Sequence, residues 1–188
     1  MSANSFSEGR AAARPIFGSA PSREDGTRSS TSLREENNDR KHPIHFSPLE
    51  WHNRPVIIYV TTCTAKRRAI LATPSLHEAI RNAWVRASTW LVGRYVILPN
   101  HVHFFCAPNG IDAPSLERWM SFWKSRITIA IGKNKGEVWQ RDHWDRQLRR
   151  GESYDEKWEY VRNNPVRHGY VTDAEDWPYQ GVLNELRW

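Results

Sequence analysis

The sequence predicts an α+β domain with an antiparallel sheet. Three observations carry that expectation. β-branched and aromatic runs at Arg54 to Thr64, Trp90 to Leu98 and His101 to Ala107 read as strands. Stripes of 3.6-residue period read as helices between and after them. Only Pro99-Asn100 separates the second and third strands, and so short a link makes them antiparallel neighbours. The order strand, helix, strand, strand, helix, then a further strand or loop and a helix fits the split β-α-β, ferredoxin-like plan.

Residues 1–44 carry Ser, Arg, Ala, Gly, Glu and Asn without hydrophobic periodicity, so a disordered N-terminal tail is expected there. A single domain is expected over 45–188. Its first strand, RPVIIYVTTCT, ends in a basic turn, Ala65 to Arg68. Pro74-Ser75 opens a helix to about Ser88, with Leu76, Ile80, Ala83 and Trp84 on its apolar side. The second strand contains the unbroken apolar run Tyr95 to Leu98, as in a strand covered on both faces. The third stops at Pro108-Asn109-Gly110. Ser115 starts a second helix, capped by its hydroxyl or by Asp112 and running to about Ile131, with Leu116, Trp119, Met120, Trp123, Ile127 and Ile131 on one side. Glu137 to Leu148 (EVWQRDHWDRQL) reads as irregular, aromatic and charged. Ser153 caps a last helix, which Pro165 should end within a residue or so. Val171 to Trp188 reads as loop.

Aromatics make up 12% of the 188 residues and include ten Trp, so the core should be largely aromatic. A net charge of +6 favours a polyanionic partner, although mildly basic proteins without one are common. Cys63 and Cys106 sit in apolar runs and are expected to be buried, reduced thiols. No run approaches the roughly 20 apolar residues of a membrane span, and no signal-peptide core is visible. A cytoplasmic protein without a membrane partner is expected.

The chemistry concentrates at YVILPNHVHFFC, Tyr95 to Cys106. On a strand, His101, His103 and Phe105 share one face, while Val102, Phe104 and Cys106 share the other. Two imidazoles side by side are an unfinished metal site. On the last helix, Tyr154, Trp158 and Val161 form the buried stripe. Tyr160 lies off it, and Asn164 follows at i+4. That is the pattern of a functional pair, and more commonly that of an ordinary tyrosine at the edge of a core. The Asn164 amide oxygen is a plausible hard-metal ligand. Two imidazoles and an amide oxygen would suit Mg2+ or Mn2+ at a phosphate site better than structural zinc, because Cys106 faces away.

Three blocks together resemble a known family. LPNHVHFF resembles the hydrophobic-His-x-His (HUH) motif of single-tyrosine transposases. YVRNNPVRHGYV, Tyr160 to Val171, is similar to the nucleophile helix of the REP-associated tyrosine transposases, a branch of that superfamily. WQRDHWDRQLR, Trp139 to Arg149, resembles the W-Q-x-x-[FW]-W-[DE] segment that they carry between the two. The likeness spans about Arg54 to Tyr179, and the blocks fall in the family's order and spacing.

The resemblance implies a ferredoxin-like fold of HUH endonuclease type. It implies His101, His103 and Asn164 as metal ligands for Mg2+ or Mn2+, and Tyr160 as nucleophile. It implies single-stranded or hairpin DNA as substrate, cut and rejoined through a 5′-phosphotyrosine. Relatives include dimers with exchanged helices, so either a monomer or a homodimer fits. Arg67, Arg68, Lys124, Arg126, Lys133, Lys135, Arg141, Arg146, Arg149 and Arg150 are candidate phosphate contacts. Trp139 and Trp144 are candidates to stack on unpaired bases. Two other readings remain: an inactive nucleic-acid-binding protein of the same fold, and a metal-dependent phosphodiester hydrolase in which Tyr160 is structural.

Overall fold

The computed structural model describes residues 56–134, 136–148 and 153–186. The tail expected at 1–44, the boundary near residue 45, and Lys135, Arg149 and Arg150 lie outside the described residues.

The β-branched first run forms strand β1 (Ile58–Thr64). Helix α1 (Pro74–Arg86) follows, with Pro at its start and the Thr73 hydroxyl accepting from the Leu76 N–H. Strands β2 (Trp90–Leu98) and β3 (His101–Pro108) form the expected hairpin. Ser115 caps α2 (Leu116–Ala130) by accepting from the Arg118 N–H. The sheet then gains strand β4 (Trp139–Gln147), helices α3 (Tyr154–Arg162) and α4 (Asn164–Arg167), and strand β5 (Gln180–Val182). The sheet order is β4-β1-β3-β2-β5, and every pairing is antiparallel. Its first four strands follow the ferredoxin-like order, with β5 added at one edge.

The expectations failed in three places. Glu137 to Leu148 is no irregular stretch, because β4 runs through it. β4 itself lacks β-branched residues and apolar alternation; what makes it a strand is the open edge of β1, with which it pairs across a register shift between Thr62 and Thr64. The expected loop after Val171 contains β5, whose three residues pair with Arg94 to Val96 of β2. Pro165 does not end the helical run. It interrupts it at Asn163 and then sits in the first turn of α4, where a missing N–H goes unused.

Both sheet faces are covered. On one, Ile58, Val60, Tyr95, Ile97, Val102, Phe104 and Cys106 meet α1 and α2 through Ile80, Trp84, Trp119, Met120 and Trp123. This core is aromatic as expected, with Trp84 and Trp123 ring centroids 5.6 Å apart. Buried indoles find backbone acceptors, Trp119 donating to Ala87 O at 2.7 Å and Trp90 to Pro114 O at 2.9 Å. On the other face, Ile57, Val96, Leu98 and Phe105 pack with Val161 and Trp177, and with Tyr59, Tyr154 and Trp158 around them. A break in the β2–β3 register between Val92 and Tyr95 brings α3 close to β2. A Cβ on Gly93 would lie 2.8 Å from the Tyr154 hydroxyl, which accepts from the Arg94 N–H at 3.2 Å. The start of α3 is thereby pinned across the face that carries the two histidines.

Candidate active site

His101 and His103 lie on β3 with ring centroids 4.7 Å apart and planes nearly perpendicular. Each ring is held at Nδ1. The Asn100 side-chain oxygen sits 2.6 Å from His101 Nδ1. The Tyr59 and Thr61 hydroxyls of β1 each sit 2.8 Å from His103 Nδ1. An amide oxygen only accepts, so His101 carries its proton on Nδ1 and keeps a lone pair on Nε2. Partners of this kind, set behind an imidazole, orient it as a metal ligand. Burial lowers the His101 pKa to about 4, with Arg67 and His168 adding to the effect. Burial lowers His103 to about 3, and His101, Arg167, His168 and Arg67 push the same way. Both are therefore neutral, the ligating form, at neutral pH.

The hairpin tip is fixed from the side. The Ile70 and Leu71 N–H groups both donate to Pro99 O at 2.8 Å, and the Thr64 N–H and hydroxyl donate to Asn100 O. Between these anchors the chain makes a 3-10 turn, Ala65–Arg67, in which Lys66 and Arg67 take left-handed φ of 55° and 54°. Positive φ costs a non-glycine residue about 1 kcal/mol or more, and here it brings Arg67 within electrostatic range of both histidines.

From the opposite side come α3 and α4. Tyr160 is 63% exposed, off the stripe of Tyr154, Trp158 and Val161 as its spacing predicts. The Arg167 guanidinium lies 3.9 Å above its ring centroid and also donates to its backbone carbonyl. Burial raises the pKa of Tyr59, the residue that holds His103; the Thr61 hydrogen bond lowers it, and Tyr160 and Arg167 add smaller effects of opposite sign. His168 brings its ring within 5.9 Å of His101. Asn164 lies one helical turn before His168, on the same side of α4. Its Nδ2 donates to Val161 O at 2.8 Å, which leaves its oxygen outside that bond. Among the described residues no group of three or more His, Cys, Asp and Glu is arranged to hold a metal. Cys63 stands opposite His101 in the β1–β3 register, but burial raises its thiol pKa and keeps it protonated. Cys106 is fully buried on the other face, as expected. Two neutral imidazoles and an amide oxygen are donors of the kind that could hold a hard cation.

No family model matches the chain. A REP-associated tyrosine transposase of Escherichia coli (strain K12) is 30% identical to it over 125 residues, 64% of this chain and 73% of that protein. The chain belongs to the REP-associated tyrosine transposase family. A relative of the same description from Haemophilus influenzae (strain ATCC 51907 / DSM 11121 / KW20 / Rd) is 28% identical over 104 residues, 48% of this chain and 58% of its own length. A solved structure of a REP-associated tyrosine transposase bound to a REP hairpin superposes with a TM-score of 0.59 at 25% identity, covering 72% of this chain and 81% of the other.

In this member of the family, the candidate DNA contacts divide by burial. Lys124 and Trp139, expected at the DNA, instead turn inward. Lys124 is 8% exposed and donates to Gln140 O at 2.8 Å, and burial lowers its pKa to about 8. Trp139 is 6% exposed and donates to Lys124 O at 3.1 Å. Together they tie α2 to β4, so neither is open to a strand on the surface. Arg67, Arg68, Arg126, Lys133, Arg141 and Trp144 are exposed, and Arg146 is half-buried. No described helix is long and apolar enough to cross a membrane.

Sequence reasoning missed Tyr59, Thr61, Asn100, Arg167 and His168. Asn100 adjoins His101, and the alternation Tyr59-x-Thr61 was visible, but only the β1–β3 register (Thr61 opposite His103) shows which histidine they serve. Arg167 and His168 stood inside the YVRNNPVRHGYV block without a role.

Proposed function

We propose that this REP-associated tyrosine transposase cleaves and rejoins single-stranded DNA beside hairpin, REP-like sequences through a 5′-phosphotyrosine at Tyr160. His101, His103 and Asn164 would hold Mg2+ or Mn2+. The observation that carries the reading is the meeting of two elements. Tyr160, exposed with Arg167 3.9 Å over its ring, belongs to the helix pair whose His168 ring lies 5.9 Å from that of His101 on β3. The partner reading is supported by the relative solved with a REP hairpin.

A phosphodiester repels nucleophiles by its charge, and a bound divalent cation supplies neutralisation of the non-bridging oxygens. Tyr59, Thr61 and Asn100 keep the two imidazoles oriented. Arg67 and Arg167 bring two further cations to the same place. The Tyr160 Oη attacks phosphorus in line with the leaving oxygen. The O–P bond forms, the P–O3′ bond breaks, the phenol loses its proton to solvent and the 3′ oxygen takes one up. Phenoxide is also a good leaving group, so the step reverses when another 3′-OH attacks. That suits rejoining better than hydrolysis.

The test is covalent capture. The protein is incubated with 5′- and 3′-labelled hairpin DNA bearing single-stranded flanks and Mn2+, then run on a denaturing gel. A labelled protein band is expected in the wild type and none in Tyr160→Phe. Cleavage that persists in Tyr160→Phe would favour a hydrolase, and binding without any cleavage would favour an inactive binding protein.

A further inference from the structure

Strand β4 is a sheet edge, and its residues 141, 142, 145 and 146 are charged, as suits an edge that must not pair with another chain. Trp144 breaks that pattern. It is 44% exposed, the only exposed tryptophan among the described residues. Trp84, Trp90, Trp119, Trp123, Trp139 and Trp177 are all buried in the core. The indole of Trp144 meets the Tyr59 ring edge-to-face, with centroids 5.6 Å apart. Tyr59 in turn lies 5.7 Å from the His103 ring and bonds to its Nδ1. Trp144 and His103 are both registered opposite Thr61, one from each side. They therefore stand two strand spacings apart, roughly 10 Å, on one face of the sheet. That is within the reach of a single nucleotide from its phosphate to the far edge of its base.

We infer that Trp144 is the platform on which the unpaired base flanking the scissile phosphate stacks. The inference rests on the proposed reading that the phosphate lies at His101 and His103. A tryptophan face accepts any base, so the subsite favours an unpaired nucleotide without choosing its identity. A paired base cannot reach it, because its faces are already stacked. The cut would thus be directed to single strand by stacking, and the row Trp144–Thr61–His103 would line the path of that strand across the sheet.

The experiment compares two 12-nucleotide strands of equal charge, oligothymidylate and a wholly abasic strand, by fluorescence anisotropy. It uses the full chain carrying Tyr160→Phe, so that binding is read without cleavage. Trp144→Ala is expected to weaken oligothymidylate binding about 10-fold or more. Its affinity for the abasic strand and its salt slope should stay as they were, since no phosphate contact is lost. Trp144→Phe should recover most of the loss. No loss on oligothymidylate, or an equal loss on both strands, overturns the inference; the equal loss would make Trp144 a structural residue, and Trp144→Phe separates that from misfolding. Failure of covalent capture in the wild type would overturn the parent reading instead, with the stacking measurement unaffected.

Discussion

Replacing Tyr59 with Phe removes one hydroxyl and little else. The ring keeps its packing 5.1 Å from Phe105 and 5.6 Å from Trp144. What is lost is the 2.8 Å contact to His103 Nδ1. Loss of an orienting partner behind a metal-bound imidazole typically weakens metal binding 10- to 100-fold. Thr61 still holds the same nitrogen at 2.8 Å, so the lower end is expected, about 10-fold or a little over 1 kcal/mol. Thr61→Val alone should behave similarly. The double variant leaves Nδ1 with neither hydroxyl, and its loss should exceed the product of the two single losses, because each hydroxyl alone still fixes the ring. Mn2+ affinity by calorimetry, in the absence of DNA, reads the effect directly. If the double variant binds Mn2+ as the wild type does, then His103 is not a ligand held through Nδ1 and the site is wrongly built.

Arg167→Ala should lower the yield of covalent capture about 10-fold or more, whereas Arg167→Lys retains a cation over the Tyr160 ring and should recover part of it; equal yields in all three proteins would remove Arg167 from the site. Asn164→Ala should raise the Mn2+ requirement for capture about 10-fold, while Asn164→Asp, which keeps a ligating oxygen, should not; a requirement unchanged in both removes Asn164 from the ligand set. The metal-free protein should be sensitive to mild acid. His101 and His103 have folded pKa values of about 4 and about 3, below the 6.5 of the unfolded chain, so protons bind the unfolded state first. Their contribution is complete above about pH 6.5 and falls away as pH drops from there towards the folded values, by about 2 kcal/mol for each histidine at pH 5. Urea melts at pH 7.5 and 5 should show that loss in the wild type and a shallower one in His103→Gln; identical pH dependence would mean that His103 is not buried neutral.

The parts of the fold that were legible in the sequence are those whose residues carry the signal themselves. Tyr95 to Leu98 and His101 to Ala107 are apolar because β2 and β3 are covered on both faces, and so their limits were readable. The α1 and α2 stripes were readable because each helix buries one side only. Strands β4 and β5 were not, because both are edges. In β4 the deeply buried side chains are Trp139 and His143, with exposed Arg141 and Asp142 between them, so no apolar alternation marks the strand. Its partner, β1, lies 75 or more residues earlier, and long-range pairing leaves no local trace. The same holds for the site. His101, His103, Tyr160 and Asn164 stand in short local patterns, but Tyr59 and Thr61 acquire a role only through the β1–β3 register.

The α3–α4 junction is where the local reading was least adequate. The i+4 spacing sets Tyr160 and Asn164 on one face only if a single helix runs from Ser153 to Asn164. Pro165 prevents this: in a continuous helix its nitrogen would donate to Val161 O, and it has no proton to give. The Asn164 side chain makes that bond instead, at 2.8 Å. One end of the amide thus repairs the break that the proline causes, and the oxygen at the other end is left to turn outward. Arg167 then folds back from α4 onto the carbonyl and ring of Tyr160. Tyr160 and Asn164 are held together by these two side chains across a break. The N-P-x-R pattern thereby ties the proposed nucleophile and the proposed amide ligand to one another where the helix is interrupted.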